Sequence, residues 1–292
     1  MLESKVCKLA SVIIAMAAAG WAWPAKACDG AGVIIQIGGR PQDVQISRIE
    51  SGATSIVTRP RVLEVICRDD VVRTSGDTYV VLSVDGAGTV RVDHNIAYTV
   101  PARSGAPSLI GNGYRALDEQ IMPDMKRLPW NVRLKGAGDD FGFALPGLAA
   151  GGQQLEAGTR SLLLRLVGGA APYKVEITDS KGTIVASQAS PSHEVVLNAV
   201  PLAVGTYHIL ASDSTPGTLT ADIAVVDTPP RETADYSNLA DPEVRVAAAA
   251  ATLARDYTAT WSLEAEQQLQ AAPVDGLDRD KVFELIESYG SD

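Results

Sequence analysis

Three histidines, His94, His193 and His208, are all the imidazoles this sequence has for acid–base or metal chemistry. None has a second histidine at ligand spacing, and no Cys pair assists, so no ordinary zinc pattern is spelled out. His208 alternates with Tyr207 and Ile209 on an expected strand, and His193 stands in a loop beside Pro191. Both read as structural. The chain has no Gly-x-Ser-x-Gly elbow and no phosphate loop. Asp139-Asp140 reads as a solvated turn. The run Asp275-Gly276-Leu277-Asp278-Arg279-Asp280 hints at a calcium loop, but the central Gly and terminal bidentate Glu are misplaced. Acids gathered at a helix N-terminus account for it better. Paired carboxylates for glycoside hydrolysis can be assembled by folding from distant positions, and nothing here singles out a pair. The expectation is a non-enzyme with no cofactor and no metal.

The cysteines point to a compartment. Lys5 and Lys8 precede an apolar run from Leu9 to Trp23, Pro24 follows, and Ala25-Lys26-Ala27 places small residues where a leader peptidase reads. That layout predicts a signal peptide over residues 1–27, cleaved after Ala27. A membrane anchor is the alternative, but the run falls short of the roughly 20 residues a span needs. A lipoprotein reading, with Cys28 lipidated, lacks the usual Leu three places before the Cys. Cleavage removes Cys7 and leaves Cys28 and Cys67, which in an exported chain most simply form one disulfide. A redox role lacks a Cys-x-x-Cys spacing.

Charge narrows the partners. The chain carries 25 basic and 35 acidic residues, net −10. The leader takes three Lys and one Glu, leaving 22 basic and 34 acidic, net −12. Nucleic acid and anionic membrane surfaces are disfavoured. The leading expectation is a periplasmic or secreted scaffold or adaptor that binds another exported or envelope protein, with no membrane span after cleavage. Trp130 and Trp261 are the candidate partner-binding residues, since aromatic anchors dominate protein interfaces. The alternative is a glycan-binding or glycan-processing envelope protein, with Tyr79, Tyr98 and Tyr114 as candidates.

These residues need elements to position them. Val, Ile, Thr and Gly dominate the first two thirds, and from Asp241 the composition turns to Ala, Leu, Glu and Gln. The expected class is mainly β, with two β modules and a short C-terminal α-helical segment. Val71 to Thr74, Tyr79 to Val84, the Asp85-Gly86-Ala87-Gly88 turn, Thr89 to Val92 and Ile96 to Val100 read as strands with a hairpin. This run, about Asp69 to Val100, resembles the periplasmic domain of the ferric-citrate regulator (FecR-like) family, which implies a periplasmic β module. Only eight residues precede the apolar run, so the regulator's cytoplasmic signalling segment is not carried over.

Further on, Leu162 to Val167, Lys174 to Ile177, Thr183 to Ala186, Glu194 to Leu197, Leu202 to Leu210 and Leu219 to Val226 read as the strands of a small sandwich. Gly168-Gly169-Ala170-Ala171-Pro172-Tyr173 and Leu202-Ala203-Val204-Gly205-Thr206-Tyr207 resemble bacterial immunoglobulin-like (Ig-like) repeats. Tyr207 is expected to bury its ring with its hydroxyl wet or capped. The expected layout is a leader at 1–27, a FecR-like domain at 28–135, a linker at 136–158 and an Ig-like sandwich at 159–228. A second linker at 229–240 and a helical tail at 241–292 complete it. Asp241 and Pro242 start one helix; Val246, Ala249, Ala250, Leu253 and Tyr257 recur along it. Trp261, Leu263 and Leu269 mark a second, and Asp278 caps a third carrying Val282, Phe283, Leu285 and Ile286.

Overall fold

Val33-Ile34-Ile35 and Leu162-Leu163-Leu164 are unbroken apolar runs, which strands show where both faces are covered. Both are buried in the computed structural model. It describes residues 28, 30–50, 53–101, 116–127, 140–230, 236, 237, 239, 241–257, 259–272 and 276–289. The expected leader, Tyr114 and Trp130 lie outside the described residues. Among those described, the chain is mainly β, with strands in four sheets and short C-terminal helices.

The first β unit has eight strands: β1 (Gly30–Gly38), β2 (Val44–Glu50), β3 (Ala53–Thr58), β4 (Val65–Cys67), β5 (Val71–Thr74), β6 (Tyr79–Val84), β7 (Gly88–Val92) and β8 (Ala97–Thr99). They form two antiparallel sheets, β4-β1-β6-β7 and β3-β2-β5-β8. Ile34, Ile66, Val80 and Leu82 of the first sheet meet Val44, Ile46 and Val72 of the second in one core. The expected hairpin is β6 with β7, closing at Val84 opposite Gly88. Gly32 is required where β1 crosses β6, because a Cβ there would stand 2.2 Å from the Ser83 carbonyl oxygen.

Two devices fasten this unit. Cys28 and Cys67 are disulfide-bonded with Cα atoms 5.6 Å apart, as expected. Closing a loop of this size stabilises by about 4 kcal/mol in the chain-entropy model. Close by, fully buried Asp70 accepts from the Arg48 guanidinium at 3.0 Å and from the Cys67 backbone N–H at 2.7 Å. Arg48 also donates to the Val65 carbonyl. The ion pair thus ties β2 to the strand that carries the disulfide.

The second unit is a sandwich of β9 (Gly142–Phe143), β10 (Gln153–Glu156), β11 (Gly158–Val167), β12 (Tyr173–Asp179), β13 (Ile184–Ser190), β14 (Glu194–Leu202), β15 (Gly205–Ser212) and β16 (Thr218–Val226). Its sheets run β10-β16-β15-β12-β13 and β14-β11-β9. Taken as strands A, A′, B, C, C′, E, F and G, these are the sheets A′GFCC′ and ABE of an immunoglobulin-type sandwich. The short parallel pairing of β10 with β16 fits that order. Tyr207, at the start of β15, accepts through its hydroxyl the Ala203 N–H at 2.9 Å, and its ring is buried. That is the tyrosine corner of such sandwiches, without their disulfide or core tryptophan.

Three expectations need correction here. Residues 136–158 are not merely a linker, since β9 and β10 pair into the sandwich and a short helix, α2 (Pro146–Ala150), lies between them. Leu202 ends β14 instead of opening β15. The stretch 28–135 holds helix as well as strand: a π turn at Leu117–Ile121 runs into α1 (Met122–Arg127). Leu117, Ile121 and Met122 are fully buried against the C-terminal helices, and that burial outweighs the β character of their flanks.

Nor is the C-terminal segment a tail. Its helices α3 (Pro242–Asp256), α4 (Ser262–Ala271) and α5 (Arg279–Ser288) build a core with residues of both β units. Asp241 caps α3 by accepting from Glu243 N–H at 2.8 Å, with Pro242 in the first turn. The apolar face of α3 is Val244, Ala247, Ala248, Ala251 and Ala254 as well as the expected Ala250 and Leu253; Val246 and Ala249 are only half-buried. Val33, Ile35, Val65 and Val81 of the first unit face these helices. Asp278 stands at the N-cap of α5 but makes no side-chain cap; its N–H donates instead to the Ile35 carbonyl of β1.

Against the sandwich the helices use polar groups. Gln267 of α4 accepts the Leu163 N–H at 2.7 Å and donates to the Leu163 carbonyl, filling the place of a neighbouring strand on β11. Gln153 of β10 donates to the Ala259 carbonyl and accepts from Leu263 N–H. Arg160 makes a forked contact with buried Glu264, and Arg165 reaches Glu287 of α5 at 2.5 Å. Glu266 lies alongside, fully buried, its Oε1 without a hydrogen bond among the described residues. Burial pushes Glu287 up to about 7 despite Arg165, and burial plus the Glu287 charge raises Glu266 well above the ordinary carboxylate range.

Candidate interaction surface

In β2 the residues Val44 and Ile46 point into the core, so Gln45, Ser47 and Ile49 face outward. Register carries that outward phase across the sheet. Ser47 lies opposite Ile56 of β3 and opposite Val71 of β5, and Val71 lies opposite Thr99 of β8. A second row joins Ile49 to Thr54, which makes Ile49 and Ile56 diagonal neighbours. The outward positions of the sheet from 45 to 99 thus hold one charged side chain, Arg73. Ile49 is 68% exposed, Ile56 59%, and Ile96, just before β8, 53%. Exposed isoleucines scattered singly mean little, but two adjoining ones on a nearly uncharged sheet make a patch that suits a partner.

No His, Asp or Glu stands among the outward positions 45, 47, 49, 54, 56, 71, 73, 97 and 99. Elsewhere, a cleft of about 520 Å³ opens between the β6–β7 turn and the start of α3, with Asp241 and Glu243 in its lining. Their carboxylates are engaged, Asp241 by its own helix and Glu243 by the Gly276 and Leu277 N–H groups. Among the described residues no three His, Cys, Asp or Glu gather to hold a metal, and no helix is long and apolar enough to cross a membrane.

The residues expected to recognise a partner are placed otherwise. Trp261 is only 5% exposed and packs in the core shared by the helices, so its indole is a structural element and no anchor for a partner. Trp130 lies outside the described residues, as does Tyr114. Tyr79 lies against Gly38 and carries the Arg91 guanidinium over its ring at 3.8 Å. Tyr98 points inward to the first core. The two tyrosines sit on different sheets. Of the histidines, His193 meets the Tyr173 hydroxyl at 2.7 Å, and exposed His208 meets Asp222 at 2.6 Å.

Composition could not single out Ile49 and Ile56, because both look like core residues. The usable signal is phase. Val44 and Ile46 share one parity along the strand and Ile49 has the other, so one set must face out unless both faces are covered.

No family model matches the chain, and no curated protein matches it. Among solved structures, the BSP domain of a biofilm associated protein aligns with 69% of this chain and 26% of its own, at 11% identity and a TM-score of 0.24. PorZ, an essential bacterial surface component of the type-IX secretion system of Porphyromonas gingivalis, aligns with 66% of this chain and 30% of its own, also at 11% identity and a TM-score of 0.24. The chain spans less than a third of either protein. At such scores the folds do not superpose as wholes.

Proposed function

We propose that this chain is an exported, non-catalytic envelope protein that serves as a scaffold or adaptor for another exported protein. The observation that carries the proposal is the outward face of β3-β2-β5-β8, with Ile49 and Ile56 adjoining and Arg73 as its one charge. Burying two such side chains is worth about 1.5–3 kcal/mol each, enough to seed an interface when neighbouring Ser and Thr exclude water around them. Export is supported by the leader-like residues 1–27 and by the Cys28–Cys67 disulfide, a bond that persists in oxidising compartments. The FecR-like resemblance belongs to the same reading, as a periplasmic β module.

Cross-linked pulldown from the envelope fraction, with intact mass on the same sample, tests this. The expected result is a stoichiometric protein partner and a mass matching cleavage after Ala27 with two hydrogens fewer. Recovery of glycan without protein would replace the adaptor reading, and an uncleaved or lipidated mass would overturn the route of export.

A further inference from the structure

Edge strands offer unpaired N–H and C=O groups, and proteins blunt them with Lys, Pro, bulges or brevity. The edges of this molecule differ in that respect. Strands β4 and β8 have three residues each and β9 has two, while β7 carries Arg91 paired with Asp93. Edge strand β13 is uncharged, but its register shifts between Ile184 and Ala186, and it packs across onto β14. Strand β3, Ala53-Thr54-Ser55-Ile56-Val57-Thr58, has none of these protections. It is six residues long, has neither charge nor Pro, and pairs with β2 without a shift. Among the described residues, nothing pairs with its other edge.

We propose that two copies of this chain join through β3, antiparallel, about a two-fold axis at Ile56, to make one continuous eight-stranded sheet. Three features select a second copy. The chain is strongly acidic, and β3 is an edge along which two copies meet without opposing like charges. Face parity must match across the axis, since Ser55 and Val57 point inward and Thr54 and Ile56 outward. The register centred on Ile56 meets that condition, placing Thr54 opposite Thr58 of the second copy and Ser55 opposite Val57. It also brings the two exposed Ile56 side chains together as a cross-strand pair. This pairing uses the edge and leaves the outward face open, so it does not depend on the adaptor reading.

Directly opposed residues in such a pair have Cα atoms about 4.5–5.5 Å apart, within the range a disulfide bridges. Ile49 of the two copies would be separated by three strand spacings across the sheet, about 14 Å, and by four residues along it, about 13 Å, or about 19 Å in all. The test therefore compares Ile56→Cys with Ile49→Cys in the purified exported protein under mild oxidation, with wild type run in parallel by light scattering. Expected are a wild-type mass of two chains, a covalent dimer from Ile56→Cys, and none from Ile49→Cys. Ile56→Lys, which keeps an exposed position exposed, is expected to shift the mass to one chain with unchanged circular dichroism. A monomeric wild type, or cross-linking of Ile49→Cys as fast as of Ile56→Cys, overturns the proposal.

Discussion

The two β units solve the problem of a water-facing sheet in opposite ways. The outer face of β10-β16-β15-β12-β13 is laced with polar pairs: Lys174 with Glu176 in an ion pair at 2.6 Å, and the His208 ring with the Asp222 carboxylate at 2.6 Å. Exposed Leu210 there lies opposite Glu176, so polar groups surround it. The outer face of β3-β2-β5-β8 has Arg73 as its one charge among Gln, Ser, Thr, Ala, Ile and Val. One sheet is finished for solvent and the other is left fit for covering. The inner fastenings differ as well. The first unit is held by a disulfide and a buried ion pair and meets the helices through apolar contacts, whereas the sandwich relies on a tyrosine corner and a polar seam with α4 and α5.

That contrast can be broken one fastening at a time. The largest effect is expected from replacing Cys28 and Cys67 together with Ser, which should cost about 4 kcal/mol. Denaturant unfolding would show it, and a loss under 1 kcal/mol would mean the closed loop does not restrain the unfolded chain. Asp70→Ala comes next. It removes the carboxylate that both the Arg48 guanidinium and the Cys67 N–H donate to, at an expected cost of about 3 kcal/mol. An additional Arg48→Met change should recover part of that loss, and failure to do so would show that Asp70 acts chiefly through the Cys67 N–H.

The polar seam answers to pH. Glu287, pushed up to about 7 from 4.5, binds more protons folded than unfolded between those values. Its contribution is therefore fully present below pH 4.5 and is lost as pH rises through about 7; Glu266 shifts in the same direction. Melting temperature should fall between pH 5 and pH 8, by about 5 °C. Glu287→Gln should flatten that fall, and an unchanged slope in the variant would remove the seam as its cause. Tyr207→Phe is expected to cost the sandwich about 1 kcal/mol, the worth of one hydrogen bond. Ile49→Lys should change stability by no more than about 0.5 kcal/mol, because the side chain is already in water.

Much of this was legible in the residues. The strands from Val71 to Thr99 and those of the sandwich from β11 onward follow from alternation and turn chemistry, with Leu202 misplaced and β9 and β10 missed, and the Asp241-Pro242 start of α3 from its capping pattern. The Cys28–Cys67 pairing followed once the expected leader took Cys7 out of the count. Tyr207 was readable as a buried ring with its hydroxyl wet or capped, though the capping by Ala203 was not. What was hidden depends on long-range packing. Trp261 looks like an anchor in sequence because nothing local tells an interface aromatic from a core one, and only the closing of α3 and α4 over it decides. Gln153, Glu264 and Gln267 are polar residues that sequence assigns to solvent; they are buried because Glu264 and Gln267 meet backbone groups of β10 and β11, and Gln153 meets those of Ala259 and Leu263 beside the start of α4. Phase put Ile49 opposite to Ile46, but whether a helix covers that face is a fact of tertiary structure.

The most direct test compares one lysine on each outward face. Ile49→Lys and Ile184→Lys are made at similarly exposed positions, and each variant is cross-linked in the envelope and recovered beside wild type. The account predicts that the partner held by wild type is lost with Ile49→Lys and kept with Ile184→Lys. Equal retention by both variants, or loss with Ile184→Lys alone, would contradict the assignment of the β3-β2-β5-β8 face as the docking surface.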